Sequence, residues 1–431
     1  MSDIEYKFAH QNKSEDNRKK EHDMKTSYLE KDVIILLKDI TGKIEAKNSL
    51  EREKLIQSGI HYSELLPVEY LPTEAYTKLY QEALHLYAAQ TAEAVMVLAE
   101  KIRKKKGENI TLVSLARAGT PIGILLKRYL EKKYKKEVQH YSISIIRDRG
   151  IDHNAMSYIL QRHTKESIQF VDGWIGKGAI TKELNKAMEQ YPGVNSELAV
   201  LADPAHITNL YGTTEDFLIP SACLNAPVSG LFSRTVLNDT LIGKGDFHGS
   251  VYYKEMEKID VSYEFIETIE QYFVFDDIEE DGIERGERTV QNNERPAHKQ
   301  KKIEERMEKK EGFKLEKKEK KESFQPEKWK TNEQEEIKQQ EIKQQESGLS
   351  EVQKIAEEFG ISNINYIKPG IGETTRVLMR RVPWKILISE EAEEKYIGHI
   401  LRLCKEKKVE VLRYPLKYYR TCGIIRNMSD I

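Results

Sequence analysis

The chain has 431 residues, enough for two or three domains, and its 69 basic and 71 acidic side chains nearly cancel, so net charge singles out no partner. Three scattered cysteines, Cys223, Cys404 and Cys422, exclude a disulfide framework and a cysteine-built zinc site. No apolar run approaches the roughly 20 residues of a membrane span, and the charged N-terminus lacks a signal-peptide core, so a soluble cytoplasmic protein with no membrane partner is expected.

Residues 1–26 read as a charged, disordered tail. Apolar periodicity starts at "YLEKDVIILLKDI" and continues to "YEFIETIEQYFVFDD", which bounds a large domain over 27–277. Inside it, the β-run "NITLVSLA" leads to a helix in "TPIGILLKRYLEKKYKK" and a strand in "VQHYSISII". The strand "SIQFVD", the helix "AITKELNKAMEQY" and the strand "ELAVLAD" follow. Strands that are apolar almost throughout, alternating with helices, predict a parallel sheet covered on both faces. Residues 278–347, with "KQKKIEERMEKKEGFKLEKKEKKESF" and the tandem "EIKQQEIKQQ", read as a flexible charged linker. Residues 348–431 form a small α/β domain, with helix, strand, helix, strand, helix expected over 370–424. Apolar positions at helical spacing in "YIGHILRLCKEKK" give its central helix a core face.

Two strand ends in the large domain are built like anion cradles, and in an open parallel sheet ligands sit beyond the carboxyl ends of the strands. In "LVSLARAGTPIG", Ala116 ends the strand and Arg117, Ala118 and Gly119 make a tight turn. Thr120 is placed to cap the next helix, and Arg117 can offer a bidentate phosphate contact. In "FVDGWIGKGAIT", Gly173, Gly176 and Gly178 let the backbone curl round a phosphate, Lys177 adds a point charge, and Ala179 and Thr181 open the following helix. Asp172, at the strand end, can accept hydrogen bonds from sugar hydroxyls or metal-bound water. The loop has neither Walker A nor G-x-G-x-x-G spacing.

The second loop resembles the phosphoribosyl-pyrophosphate loop of type I phosphoribosyltransferases, and "VSLARAG" resembles their pyrophosphate loop. The stretches "SYLEKDVIILLKDI", "GIHYSELLPVEYLP", "LNAPVSGLFSRTV" and "DFHGSVYY" resemble a bacterial branch of tellurite-resistance and stress operons, the StiP type. The resemblance implies a phosphoribosyltransferase-like α/β domain that moves ribose 5-phosphate from phosphoribosyl pyrophosphate to a base-like acceptor. Asp172 would hold the ribose, Gly176 to Thr181 the 5-phosphate, and Ala116 to Gly119 the pyrophosphate, with Mg²⁺ held mainly by the donor. Catalytic weight then rests on Asp172, Lys177 and Arg117, and "IIRDRGIDHNAMSYIL" is a candidate cover. Type I enzymes usually show two adjacent acids, whereas Asp172 is followed by Gly173. A donor sensor without turnover therefore stands as an alternative.

Asp203 and Arg234 are further candidates for the site, as are His248, His61 and Glu64, each against a structural role. A second alternative is a cysteine protease built on Cys223 with His206 and His248, a label that StiP-like chains sometimes carry. The C-terminal segment resembles the Pelota-type fold shared with kink-turn-binding ribosomal proteins, through "GIGETTRVLMRRVPWKILIS" and the closing "RTCGI". That resemblance implies RNA binding, with Gly372, Glu373, Thr374 and Arg376 at a helix start that reaches bases, and Arg380 and Lys385 on phosphates. A homo-oligomer is left open.

Overall fold

Leu112 and Val113 are consecutive and both wholly buried, which a strand achieves only when both faces of its sheet are covered. They belong to β2 (Thr111–Leu115), in a sheet with β1 (Ile34–Ile35), β3 (Gln139–Ile143), β4 (Ile168–Trp174), β5 (Ala199–Ala202) and β6 (Tyr211–Thr213). The spatial order is β1-β3-β2-β4-β5-β6, and every pairing is parallel. The structure, a computed structural model, describes residues 24–275 and 348–426. The expected linker over 278–347 lies outside the described residues, as does the expected tail up to residue 23; Met24 is already part of the core.

Helices α1 (Ser49–Gln57), α2 (Glu74–Lys106), α3 (Gly119–Tyr134), α4 (His153–Leu160), α5 (Ala179–Met188) and α6 (Ser262–Glu270) complete the large domain. One face of the sheet packs Leu112, Val171 and Leu201 against α2, α3 and α6. The other packs Val113, Phe170 and Val200 against α4 and α5. The 33-residue helix α2 buries Tyr80, Leu84, Tyr87, Thr91, Val95, Leu98 and Ile102, a stripe at i, i+3 and i+4 spacing. It ends at Gly107 (φ 73°), with four basic residues in its last turn facing the negative end of the dipole. The proposed cover "IIRDRG" is a short antiparallel hairpin, Ile145–Ile146 against Gly150–Ile151, running into α4.

From β2 the chain crosses to β3 on one side, and it returns to β4 on the other. The switch point therefore falls between the carboxyl ends of β2 and β4, where both glycine-bearing loops begin. A Cβ on Gly119 would lie 2.5 Å from the carbonyl oxygen of Val171, so only glycine lets α3 start this close to β4.

The C-terminal domain is a mixed sheet, β7 (Ile367–Pro369), β8 (Lys385–Ser389), β9 (Glu410–Tyr414) and β10 (Thr421–Ile424), in the order β7-β10-β8-β9. Only β8 and β9 run parallel. Helices α7 (Gly348–Glu358), α8 (Ile371–Arg380) and α9 (Glu394–Lys407) cover it. The helix expected at the end of this segment is instead strand β10, buried along its length and paired on both edges. The two cores run together: Ile371, Leu378 and Ile400 pack in the same cluster as Tyr87, Phe217 and Leu218 of the large domain.

Candidate active site

The two loops lie side by side at the switch point, but their polar groups are spent on the protein itself. Lys177 Nζ donates to the carbonyls of Ile364 (2.8 Å) and Ile367 (2.9 Å) in the C-terminal domain. Burial, helped by Lys368, pulls its ammonium down to about 8. The Tyr419 hydroxyl donates to the carbonyl of Gly176 at 2.9 Å. Gly173 lies within β4, and its N–H donates to Asp172 Oδ1 at 2.7 Å. Burial pushes the Asp172 carboxyl up to about 7, with that hydrogen bond the opposing influence. Gly176 lies against the Trp174 ring, and Gly178 (φ 69°) begins α5 ahead of an exposed Ala179. Among the described residues the buried Thr181 hydroxyl has no hydrogen-bond partner.

At the first loop Ala118 is exposed, and α3 starts without a side-chain cap. Thr120, expected as that cap, instead has its hydroxyl 2.7 Å from Ser142 Oγ on β3. Ala116, half-buried, leads into Arg117, whose Nη1 donates to the Phe232 carbonyl at 3.2 Å and lies 3.5 Å from Glu69. Asp203 is buried beyond β5 and caps a turn by accepting from Thr208 N–H at 2.8 Å. His61 bonds Ser63, Glu64 pairs with Arg149, and His248 lies 2.8 Å from Ser144 Oγ.

Beside these loops, at the boundary between the domains, a cavity of about 460 Å³ collects other groups. The large domain lines it with Arg52, Glu69, Tyr76, Arg117, Cys223 and Arg234, and α8 with Thr375, Arg376 and Arg380. Cys223 follows the 3-10 turn Pro220–Ala222, its N–H bonded to the Pro220 carbonyl. That is the negative end of a turn, not the helix N-terminus that favours a thiolate. Burial pushes the thiol up to about 12, and the nearby Arg376 acts in the opposite direction. The two imidazoles offered by the sequence lie elsewhere, His206 against the Tyr418 ring and His248 at Ser144. A different imidazole approaches the cavity: His399 Nε2 is 2.8 Å from the Thr375 hydroxyl, and burial brings it down to about 4.

The helix start expected to meet RNA is turned towards the large domain. Asp216, buried, accepts from the N–H groups of Ile371 (3.0 Å) and Arg420 (2.8 Å). Gly372 lies near Ala222, Thr374 is wholly buried, and Glu373 pairs with Arg376. Lys385 pairs with Glu410 at 2.7 Å. Arg52 and Asp216 are the main omissions of the sequence reading. Arg52 sits in the charged run "LEREK" and Asp216 follows Glu215 ahead of the apolar "FLI", and only the fold brings each to the cavity or the domain boundary.

Residues 26–270 match the family described as tellurite-like stress resistance cysteine protease StiP. The chain belongs to the StiP family. It is 31% identical over 417 residues to the cysteine protease StiP of Acinetobacter baylyi (strain ATCC 33305 / BD413 / ADP1), covering 94% of each chain. Residues 346–427 match the PELOTA RNA binding domain, so this StiP chain carries the RNA-binding module that its C-terminal segment resembled. The expected activity is corrected. Both the StiP family description and the relative's name specify a cysteine protease, not a phosphoribosyltransferase. Phosphoribosyl pyrophosphate and a base-like acceptor go with that correction. Among the described residues no helix is long and apolar enough to cross a membrane.

Proposed function

We propose that the chain is a thiol-dependent peptidase with Cys223 as nucleophile, joined to an RNA-binding domain that helps wall its site. One observation carries this beyond the family's name: of the three cysteines, Cys223 alone lines the cavity. Cys404 and Cys422 are packed into the C-terminal core. Cys223 attacks the peptide carbonyl as the thiolate, the C–N bond breaks, the amine leaves with a proton, and water then hydrolyses the thioester to free the acid and the thiol. In the described arrangement the thiol is held protonated by burial, and Arg376 is the charge that favours ionisation. His399, kept neutral and bonded at Nε2 to Thr375 on the cavity wall, is the imidazole available to take the proton. It does so once the Thr375 hydroxyl turns to it from the Ile371 carbonyl, to which that hydroxyl donates at 2.7 Å. The all-parallel sheet with its glycine-bearing loops supports kinship in fold with phosphoribosyltransferases, with the chemistry moved to the cavity next door.

Hydrolysis of fluorescently labelled casein by the full chain tests the assignment. Cys223→Ala is expected to remove the activity while keeping the thermal midpoint within a few degrees. His399→Gln is expected to lower turnover by about 10²–10⁴. Equal hydrolysis by wild-type and Cys223→Ala protein would reject Cys223 as the nucleophile.

A further inference from the structure

Among the described residues five guanidinium groups line the cavity, faced there by the carboxylate of Glu69, while Glu373 pairs with Arg376 from outside the lining. Two of them are incompletely satisfied. Among the described residues, the Nε atoms of Arg52 and Arg234 are buried without a hydrogen-bond partner. Arg234 Nη2 does donate to the carbonyls of Tyr62 (2.8 Å) and Leu65 (3.2 Å), which fixes the guanidinium in place. Desolvation pulls Arg234 down to about 10, and repulsion from Arg52 and Arg117 adds to it. Arg52 is pulled down by desolvation as well. Like charges gathered on a part-buried wall are costly unless an anion completes the site.

We propose that this cavity binds a polyvalent, phosphate-bearing anion between Arg52, Arg117 and Arg234 of the large domain and Arg376 and Arg380 of α8. The surplus of positive charge decides the class. One carboxylate ligand would neutralise a single guanidinium, whereas linked phosphates present several oxyanions to planar forks that match them bidentately. The volume of about 460 Å³ suits a small-molecule ligand. Because both domains supply arginines, a bound anion ties α8 to the large domain. The site does not depend on whether Cys223 reacts.

Calorimetry on the full chain with inorganic tripolyphosphate, in phosphate-free buffer, reads the site directly. Saturable binding and a raised thermal midpoint are expected, with Arg52→Gln and Arg376→Gln each weakening binding at least tenfold. Helix α1 has no fully buried residue and Arg52 itself is half-buried, so Arg52→Gln is expected to leave the fold intact. Cys223→Ser is expected to bind as wild type, which separates this result from the fate of the thiol chemistry. Displacement of tripolyphosphate by a short oligoribonucleotide, again dependent on Arg52, would mark a polynucleotide as the phosphate source. No displacement would mark a small molecule; either result keeps the site. No saturable heat at millimolar tripolyphosphate, equal affinity for citrate, or unchanged binding by Arg52→Gln would overturn it.

Discussion

For a thiol with a pKa of about 12, the thiolate fraction at neutral pH is on the order of 10⁻⁵. Iodoacetamide is therefore expected to label Cys223 at pH 7 orders of magnitude more slowly than free cysteine, at a rate rising with pH. Arg376→Ala should slow it further, because it removes the charge that favours the thiolate. Mass-spectrometric labelling rates check both, and labelling as fast as free cysteine would mean that the described arrangement is not the resting one. Asp172 makes the opposite kind of test. Its folded pKa of about 7 lies above the ordinary 3.8, so the fold favours the neutral carboxyl. That contribution is fully present below about pH 4, fades as pH rises, and is gone above about pH 7. Asp172→Asn keeps the acceptor for Gly173 N–H and removes the charge. It is expected to raise the thermal midpoint at pH 8 by several degrees, at about 2–4 °C per kcal/mol, and to do little at pH 4.

At the start of α8 a helix terminus that usually meets solvent or ligand is capped from another domain. Gly370, at φ 83°, turns the chain where an added Cβ would lie 2.9 Å from the Trp174 ring and 3.2 Å from Asp216 Oδ1. Asp216 takes the helix-terminal N–H of Ile371, which has no partner within the helix, together with that of Arg420, so one carboxylate holds both the helix and β10's approach. Asp216→Ala leaves one buried and one part-buried donor unpaired, costing about 1–3 kcal/mol for the buried one and less for the other, whereas Asp216→Asn retains an oxygen acceptor and should cost less. Thermal melts of the two variants give the order. The difference in what was legible follows from the same geometry. Strands β2 to β5 and helices α3 and α5 could be read because uninterrupted apolar runs, glycines and helical spacing are local signals. Strand β10 was misread because its β character comes from being sandwiched between β7 and β8. Lys177 was legible as a charge in a glycine-bearing loop at a strand's carboxyl end, but its partners, the Ile364 and Ile367 carbonyls, lie almost two hundred residues along the chain. Cys223 was visible as a cysteine among small residues. That Arg52 and Arg376 share its cavity has no sequence pattern at all.

Across the whole molecule, the docked domain and an RNA ligand make claims on the same helix. The expected RNA positions Gly372, Thr374, Arg376 and Arg380 lie on the boundary with the large domain or in its cavity. An RNA that uses them competes with docking, so its apparent affinity is reduced by the fraction of molecules that are undocked. Asp216 is the most direct way to shift that fraction, because it bonds α8 and β10's lead-in without lining the cavity. Losing its two hydrogen bonds, at about 1 kcal/mol each, weakens docking by about 2 kcal/mol, which corresponds to more than tenfold in the undocked population. Gel shifts of the full chain with a kink-turn RNA should accordingly show Asp216→Ala binding about tenfold or more tightly than wild type. Adding Arg376→Ala to that variant should weaken it again and lower the salt slope by about one. If Asp216→Ala binds RNA no better than wild type, α8 is not the surface that RNA and the large domain share, and the RNA face must be sought on the side of the C-terminal sheet that carries α7.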